Sequence, residues 1–484
     1  MKISDLTYKT NATLLFGEDS GEVLSLCCDS RKVREGDVFI ALKGTAVDGK
    51  QFVEDARAKG AAAAIYTDRA GLAIMADRFY DHPSGKLRLV GITGTNGKTT
   101  TVTLLYHLFR RLGYECGLLS TIANYVGTTR LETTNTTADP LTINQLLAQM
   151  VDRGCQFCFM EVSSIGVDQH RVDALEFAVG IFSNLTHDHL DYHGTFAEYL
   201  RCKKAFFDSL PSTAVAITNI DDRNGSVMVQ NTKARVVTYS CHSIADHSCK
   251  VMEQTMEGSL LEIDGVEFWS TLIGEHNAYN LLAIYSTAVE MGTERQEVIV
   301  AMSALKEAPG RLETIHGKDG KTIVIDYAHT PDALENVLKT LRKVCHDGQI
   351  VCVFGCGGDR DRTKRPEMAQ IAEKYADSII VTSDNSRTES TQAIIEEICT
   401  GFSPAAASKV LRIADRKEAI RAAMMFSKPG ATILLAGKGH ENYQIIGTEK
   451  LHFDEREIVE EVLKSCLITY SNCWINSTSL EKVL

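Results

Sequence analysis

The stretch Gly91-Ile92-Thr93-Gly94-Thr95-Asn96-Gly97-Lys98-Thr99-Thr100 (GITGTNGKTT, 91–100) decides the architecture of this chain. An apolar, β-leaning run from Leu87 to Ile92 leads into it. A helical pattern follows, with Val102, Leu105, Leu108, Phe109 and Leu112 on one face. Strand, glycine turn and helix start together make a phosphate cradle, because glycines let several backbone N–H groups converge on an anion at the positive end of a helix. Lys98 is then placed to reach the outer phosphates, and the Thr99 hydroxyl to ligate a magnesium ion. The spacing departs from the common phosphate loop, whose first glycine would fall at Ile92; here Gly94 lies closer and Gly91 one residue too far. Strand context, lysine and threonine still agree, and the stretch reads as a nucleotide site.

Around that loop, 484 residues are too many for one core and imply roughly two to four domains. A composition of 44% hydrophobic and 24% charged residues is ordinary for a soluble globular protein. The net charge of -12 argues against a general nucleic-acid binder, while leaving local basic groups to hold anionic substrates. MKISDLTYKT lacks the apolar core of a signal peptide, and no run approaches the roughly 18–20 apolar residues that span a bilayer. A cytoplasmic protein without membrane insertion is expected, its cysteines reduced and mostly buried. Cys155 and Cys158 have C-x-x-C spacing, but they lie in an apolar run with no second pair nearby, so packing is expected rather than redox or zinc chemistry.

Three segments and a tail follow. Residues 1–86 hold short strands and turns, with a strand at 38–42 and an alanine-rich helical stretch around 53–64. The loop Asp29-Ser30-Arg31, taken alone, reads as a capped turn. Residues 87–310 carry the glycine loop and two more buried strands, 157–162 with Glu161 near its end, and 177–185 running into THDHLDYHG (186–194). Alternation across Asp264-Gly265 signals a hairpin at 260–269. A helix from about Ala278 closes at Gly292. In residues 311–466 apolar strands begin near Thr322, Ile350, Ser378, Lys409 and Ala431, separated by helical patterns. The first helix opens on Thr330-Pro331 with Leu334, Val337, Leu338 and Leu341 on a face. Strands alternating with helices imply a parallel, doubly wound sheet. Asp326, His329, Asp359, Arg360, Asp384, Asn385, Arg387, Lys438, His440 and Glu441 gather after its strands, where such sheets bind ligands. Residues 467–484 show no period and read as a loosely attached tail. The expected class is α/β with three domains: a central P-loop mononucleotide-binding sheet and a C-terminal doubly wound, Rossmann-like sheet.

Several residues carry two readings. Glu161 is either an ordinary strand-end charge or a magnesium ligand beside the phosphate loop. His187, Asp188, His189, Asp191 and His193 suggest a metal cluster. Zinc is plausible for them alone, whereas beside a phosphate loop one group completing a magnesium site fits better, with others holding the turn. Lys203 and Lys204, adjacent on a helix, read as a solvated face.

The motifs GTNGKTT, MEVSS (160–164), NLTHDHLDYHG (184–194), GEHNAYN (274–280), GR (310–311), DYAHTPDAL (326–334), FGCGGDRDRTKRP (354–366) and AGKGHE (436–441) occur in that order. Together they resemble the Mur ligases of peptidoglycan synthesis, over about residues 20–464. The resemblance is strongest to members that add meso-diaminopimelate to UDP-N-acetylmuramoyl-L-alanyl-D-glutamate. It implies an ATP-dependent, amide-forming enzyme working through an acyl phosphate with Mg2+, on three small-molecule substrates and as a monomer. Lys98, Lys203, His189 and Glu161 match the family's catalytic positions. Thr99, Glu161, His189 and Lys203, the last carbamylated to N6-carboxylysine, match its metal ligands. Gly94, Thr95, Asn96, Gly97, Lys98, Thr99 and Thr100 match its ATP loop, with Asn280 at the adenine, Asp326 at the ribose and Arg311 on the nucleotide side. Ser30, Thr136, Thr137, Ser163, Gln169 and Arg171 match the UDP-sugar-peptide contacts. Arg360, Asp384, Asn385, Ser386, Arg387, Gly437 and Glu441 match the diaminopimelate pocket, Ser386 standing where a loop-stiffening proline is usual. Folylpolyglutamate synthases share the loop type and the carbamylated lysine, but would not be expected to carry the DSR segment or GCGGDRD with DNSR. A P-loop switch protein would need no second polar cluster.

Overall fold

The computed structural model describes residues 1–44, 47–133, 135–186, 188, 190–317, 319–345 and 348–464. The expected tail at 467–484 lies outside the described residues, as do His187 and His189. The chain divides into two compact units, one of residues 1–249 and 279–302, the other of 250–278 and 303 onward.

The first unit begins with a four-stranded sheet in the order Thr13–Phe16, Ala63–Thr67, Val38–Leu42, Leu26–Cys27. The expected helix over 53–64 is shorter, Val53–Ala58. Gly60, at φ 91°, ends it, and Ala63 and Ala64 enter a strand buried between two neighbours. Burial there outweighs alanine's helical preference, which is worth well under about 1 kcal/mol per residue. A helix not anticipated from sequence, Arg69–Phe79, follows, its N-terminus capped by Asp68 through Gly71 N–H.

In the unit's larger sheet, strand Arg88–Thr93 lies between Phe157–Glu161 and Phe177–Phe182, all parallel. Cys116–Leu119 continues one side, and Val215–Asn219 and Arg235–Ser240 the other. Val90, Ile92, Phe159, Val179 and Ile181 are all inaccessible to solvent, as a sheet covered on both faces requires. Helix Lys98–Arg111 follows the glycine loop; residues 99–106 are all buried rather than one stripe of them, and helix Arg295–Met302 packs against it. Cys155 and Cys158 are buried, and burial pushes both thiols up in pKa, so neither is poised as a thiolate. Every described cysteine is free.

In the second unit, Gly258–Ile263 and Val266–Ser270 form the expected hairpin, with Asp264 (φ 47°) and Gly265 (φ 83°) both left-handed as a two-residue primed turn demands. The C-terminal sheet has the order Glu313–His316, Thr322–Asp326, Thr432–Ala436, Ile350–Phe354, Ser378–Val381, Val410–Arg412. The last five are the expected parallel strands; Glu313–His316 is an additional antiparallel edge. Alternate strand residues feed two cores. Val324, Cys352, Ile379 and Leu434 meet helix Pro331–Cys345 through Leu334, Val337, Leu338 and Leu341. Ile323, Val353, Ile380 and Leu435 meet Ala419, Ile420, Ile458 and Val459 on the opposite face. The sheet is therefore doubly wound. Among the described residues, no helix is long and apolar enough to cross a membrane.

Leu338→Ala removes a fully buried side chain from the first of these cores and is expected to cost about 2–5 kcal/mol in denaturant unfolding. Lys339→Ala, at a half-exposed neighbour, should stay within about 0.5 kcal/mol. Equal effects would show that the helix does not pack by this face.

Candidate functional site

The glycine loop is shaped by what lies behind it. Gly94 (φ 154°) presses against Ser183, whose Oγ a Cβ would strike. A Cβ on Gly97 (φ 87°) would fall 2.5 Å from Asn280 Oδ1. Thr95 N–H donates to Asn184 O (2.8 Å) and Asn96 N–H to Asn184 Oδ1 (2.9 Å), fastening the loop to the segment after strand Phe177–Phe182. That leaves the start of helix Lys98–Arg111, with Thr99 and Thr100 in its first turn, as the anion-facing end. Asn280 accepts from Thr101 Oγ1 at 3.3 Å, which brings the expected adenine contact to the same helix.

Lys98 Nζ donates to the carbonyls of Gly94 and Thr95, each at 2.9 Å. Lys203 is not on a solvated face. It is 1% exposed, on helix Phe196–Asp208, with Nζ donating to the same Gly94 carbonyl at 2.8 Å and lying 4.7 Å from the centre of the Tyr199 ring. Burial, and secondarily the nearby Lys98, hold its pKa well below that of an ordinary lysine. Lys204, by contrast, pairs with Asp208 at 2.6 Å on the same helix.

Glu161 ends the strand adjacent to the loop's own strand, in register with Ile92. It is 1% exposed; Oε1 accepts Thr121 N–H at 2.8 Å, and Oε2 has no hydrogen-bond partner. A buried carboxylate oxygen so placed is costly unless something binds it, and with the Thr99 hydroxyl it offers the hard oxygen donors that suit Mg2+. His193 Nε2 meets Ser164 Oγ at 2.9 Å, fixing the turn.

Five of the expected sugar-peptide residues form one network beside Glu161. Thr137 Oγ1 donates to Glu161 O (2.9 Å) and meets Ser163 Oγ (3.0 Å). Thr121 Oγ1 joins Thr136 Oγ1 (3.0 Å). Arg171 donates to Thr137 O (2.6 Å) and to Gln169 Oε1 (2.7 Å). Arg69, on the unanticipated helix, reaches the same Gln169 oxygen at 3.1 Å, and a cleft lined by Arg69, Asn135, Gln169 and Arg171 opens there. Ser30 stands apart: Asp29 and Arg31 pair within their own turn, and the Ser30 carbonyl accepts from Lys59 Nζ at 2.7 Å.

In the second unit Asp326 is buried, its two oxygens accepting Leu312 N–H (2.7 Å) and Ala328 N–H (2.8 Å). Burial raises its pKa against the pull of Arg311, whose guanidinium lies 4.8 Å from the Tyr327 ring centre. Asp384, Asn385 and Glu441 converge on a fully buried cation, Lys438, at 3.6, 3.2 and 3.1 Å. Asn385 Nδ2 also donates to Glu441 at 2.9 Å. Gly437 (φ 116°) sits where a Cβ would fall 2.9 Å from Asp384 Oδ2. Ser386 is buried, Arg387 donates to Gly358 O at 2.8 Å, and Arg360 is exposed. Sequence reasoning placed Lys438 after a strand without giving it a role, and it missed Arg416, which reaches Ser383 O, Ala436 O and Glu455 from full burial. A lysine flanked by glycines gives no sign of whether it points in or out.

Comparison with known proteins follows the same three segments. Family models match at residues 22–88 (Mur ligase family, catalytic domain), 92–288 (Mur ligase middle domain) and 310–439 (Mur ligase, glutamate ligase domain). The chain is 47% identical to the UDP-N-acetylmuramoyl-L-alanyl-D-glutamate–2,6-diaminopimelate ligase of Cytophaga hutchinsonii, covering 96% of this chain and 99% of the relative. It is 41% identical to the ligase of the same name from Bacillus cereus, covering 92% and 95%. A solved structure of a ligase of that name matches with a TM-score of 0.68 at 31% identity, covering 96% and 99%. With its three segments matched in order and relatives of this identity along its length, the chain belongs to the Mur ligase family.

Proposed function

We infer that this chain is the ATP-dependent ligase that adds meso-diaminopimelate to UDP-N-acetylmuramoyl-L-alanyl-D-glutamate in peptidoglycan synthesis. What carries the reading is the near full-length relation to diaminopimelate ligases, 47% identical over 96% of the chain. We place its domains at 1–86, 87–310 and 311–466, and take it to act as a cytoplasmic monomer on small-molecule substrates.

A carboxylate is a poor electrophile, so it is first phosphorylated. A D-glutamyl carboxylate oxygen attacks the γ-phosphorus, the bond to the bridging oxygen breaks, and ADP leaves. The diaminopimelate amine then attacks the acyl carbon; the C–O bond to phosphate breaks, phosphate departs with the electron pair, and the amine sheds a proton. Catalysis rests on in-line placement and on neutralising phosphate charge. The start of helix Lys98–Arg111 and the Lys98 ammonium supply positive potential for the phosphates. Thr99 and Glu161 are the residues that would hold Mg2+, with His189 proposed from its place in the motif as a further ligand; bound there, the ion would neutralise charge on the outer phosphates. Asn280 and, in the second unit, Asp326 and Arg311 are the proposed nucleoside contacts. The network of Thr136, Thr137, Ser163, Gln169 and Arg171 is proposed to hold the sugar-peptide, with Ser30 on the uridine side. Arg360, Asp384, Asn385, Ser386, Arg387, Gly437 and Glu441 are proposed for the amino acid.

Lys203 is proposed to be carbamylated. Only a neutral amine adds CO2, forming an N–C bond and releasing a proton. A lysine whose pKa is held low is neutral at a pH where an ordinary one is charged. The product is an anion that can replace a buried amine as a metal donor.

Phosphate release should require both the UDP-sugar dipeptide and diaminopimelate; comparable release from ATP alone would overturn the ligase reading. Lys203→Ala should lower turnover by about a hundredfold or more, with partial recovery on adding short carboxylic acids, while Lys204→Ala stays close to wild type. Near-normal turnover of unrescued Lys203→Ala would end the carbamate proposal. In competition between meso-diaminopimelate and L-lysine, the wild type should favour diaminopimelate by about a hundredfold or more, since Arg387 would pair bidentately with the distal carboxylate. Equal incorporation, or an unchanged preference in Arg387→Ala, would sink that assignment.

A further inference from the structure

Two non-glycine residues of the second unit adopt left-handed backbone on loops that follow neighbouring strands. Asp359 (φ 54°) comes after Ile350–Phe354, and Arg387 (φ 49°) after Ser378–Val381. Such conformations persist only where the surroundings impose them. Here the two loops impose them on each other. The Asp359 carboxylate accepts Thr388 N–H (3.2 Å) and Thr388 Oγ1–H (2.6 Å), and Asp359 N–H donates to Glu389 (2.6 Å). Arg387 reaches Gly358 O, and its backbone is stapled to residues 445–447. Ser386 O accepts Glu389 N–H at 3.0 Å and lies where a Cβ on Gly358 would collide with it.

Beneath both loops lies Arg365, with a side chain that is 0% exposed. Its guanidinium donates to Glu389 at 2.9 and 3.1 Å, to Glu397 at 2.6 Å, and to Gly357 O at 3.2 Å. One planar fork therefore holds the backbone of the first loop and the carboxylate that anchors the second. Its loss would leave Glu389 without its buried partner.

We propose that Arg365 is a positioning residue for amino-acid specificity: through Glu389 and Gly357 it fixes the loops that carry Asp359 and Arg387, and with them the guanidinium that reads the distal carboxylate. The proposal rests on the reading of Arg387 given above. Tertiary bonding does here what a ring in the loop would otherwise do, and Ser386 is accommodated.

The test is steady-state kinetics of the full-length enzyme with ATP, UDP-N-acetylmuramoyl-L-alanyl-D-glutamate and each amino acid. Arg365→Met, Glu389→Gln and Thr388→Val should each raise KM for diaminopimelate about tenfold and narrow the preference over L-lysine to a similar degree. The kcat value and the other two KM values should stay within about twofold. Thr388→Ser, which keeps the hydroxyl, should behave as wild type. Thr388 is exposed, so Thr388→Val carries the test even if Arg365→Met fails to fold. Unchanged diaminopimelate KM in Glu389→Gln and Thr388→Val, or a fall in kcat alone, overturns the clamp while Arg387→Ala still abolishes the preference. If Arg387→Ala keeps the preference, the reading of Arg387 and the clamp fall together.

Discussion

Two lysine amines share one carbonyl. Lys98 and Lys203 both donate to Gly94 O, at 2.9 and 2.8 Å, which places their nitrogens within about 6 Å of each other. Two ammonium ions at that separation would repel by about 3 kcal/mol at an effective dielectric near 20, before any cost of desolvation. Lys98 is half-exposed and water can solvate it; Lys203 is sealed under the loop by Tyr199 and the sheet. The conflict falls on Lys203, whose pKa burial, and secondarily Lys98, hold well below that of an ordinary lysine. An amine so biased, under the glycine loop and in the same domain as a buried Glu161 oxygen with no hydrogen-bond partner, marks a place where charge is costly to bury. The glycines and the Asn184 fastening hold the loop in the shape that brings the two amines to one carbonyl.

Much of the fold was legible because its signals were local. The hairpin at Asp264-Gly265, the Thr330-Pro331 helix start and the five C-terminal strands each follow from turn chemistry or from apolar runs, and each stands within a residue or two of its expected place. What was not legible depends on contacts remote in sequence. Ala63–Thr67 is a strand because two others flank it, though its alanines favour a helix. Glu313–His316 has only half-buried and exposed residues, and becomes a strand by pairing with Thr322–Asp326. At the candidate site, motif order located the phosphate loop, Glu161 and the network around Thr137. The motif match sets the solvated-face reading of Lys203 aside, and the fold shows it buried; it took the fold to reveal Lys438, Arg416 and Arg365 as buried cations. A charged residue on an amphipathic or glycine-flanked stretch carries no mark of which way it points.

Those buried cations are not explained by stability. An ion pair such as Arg416–Glu455, with both side chains 0% exposed, gains little over well-packed apolar residues of similar volume, since desolvation offsets the attraction. What the pair does is geometric: Arg416 also holds the carbonyls of Ser383 and Ala436, fixing the chain where two strands end. It further sets the charge of its neighbours. Asp384 and Asp326 are both buried carboxylates at or just beyond strand ends of one sheet, yet they are driven in opposite directions. Burial pushes both up; beside Asp384, Lys438 and Arg416 overcome it and hold the pKa below the ordinary range, whereas at Asp326 burial prevails over Arg311. The anionic form of Asp384 is therefore favoured, with Lys438 as its ammonium partner, while the anionic form of Asp326 is disfavoured. Two carboxylates of the same chemistry are thus driven in opposite directions by the cations placed around them, and it is the placement of those cations that the doubly wound sheet provides.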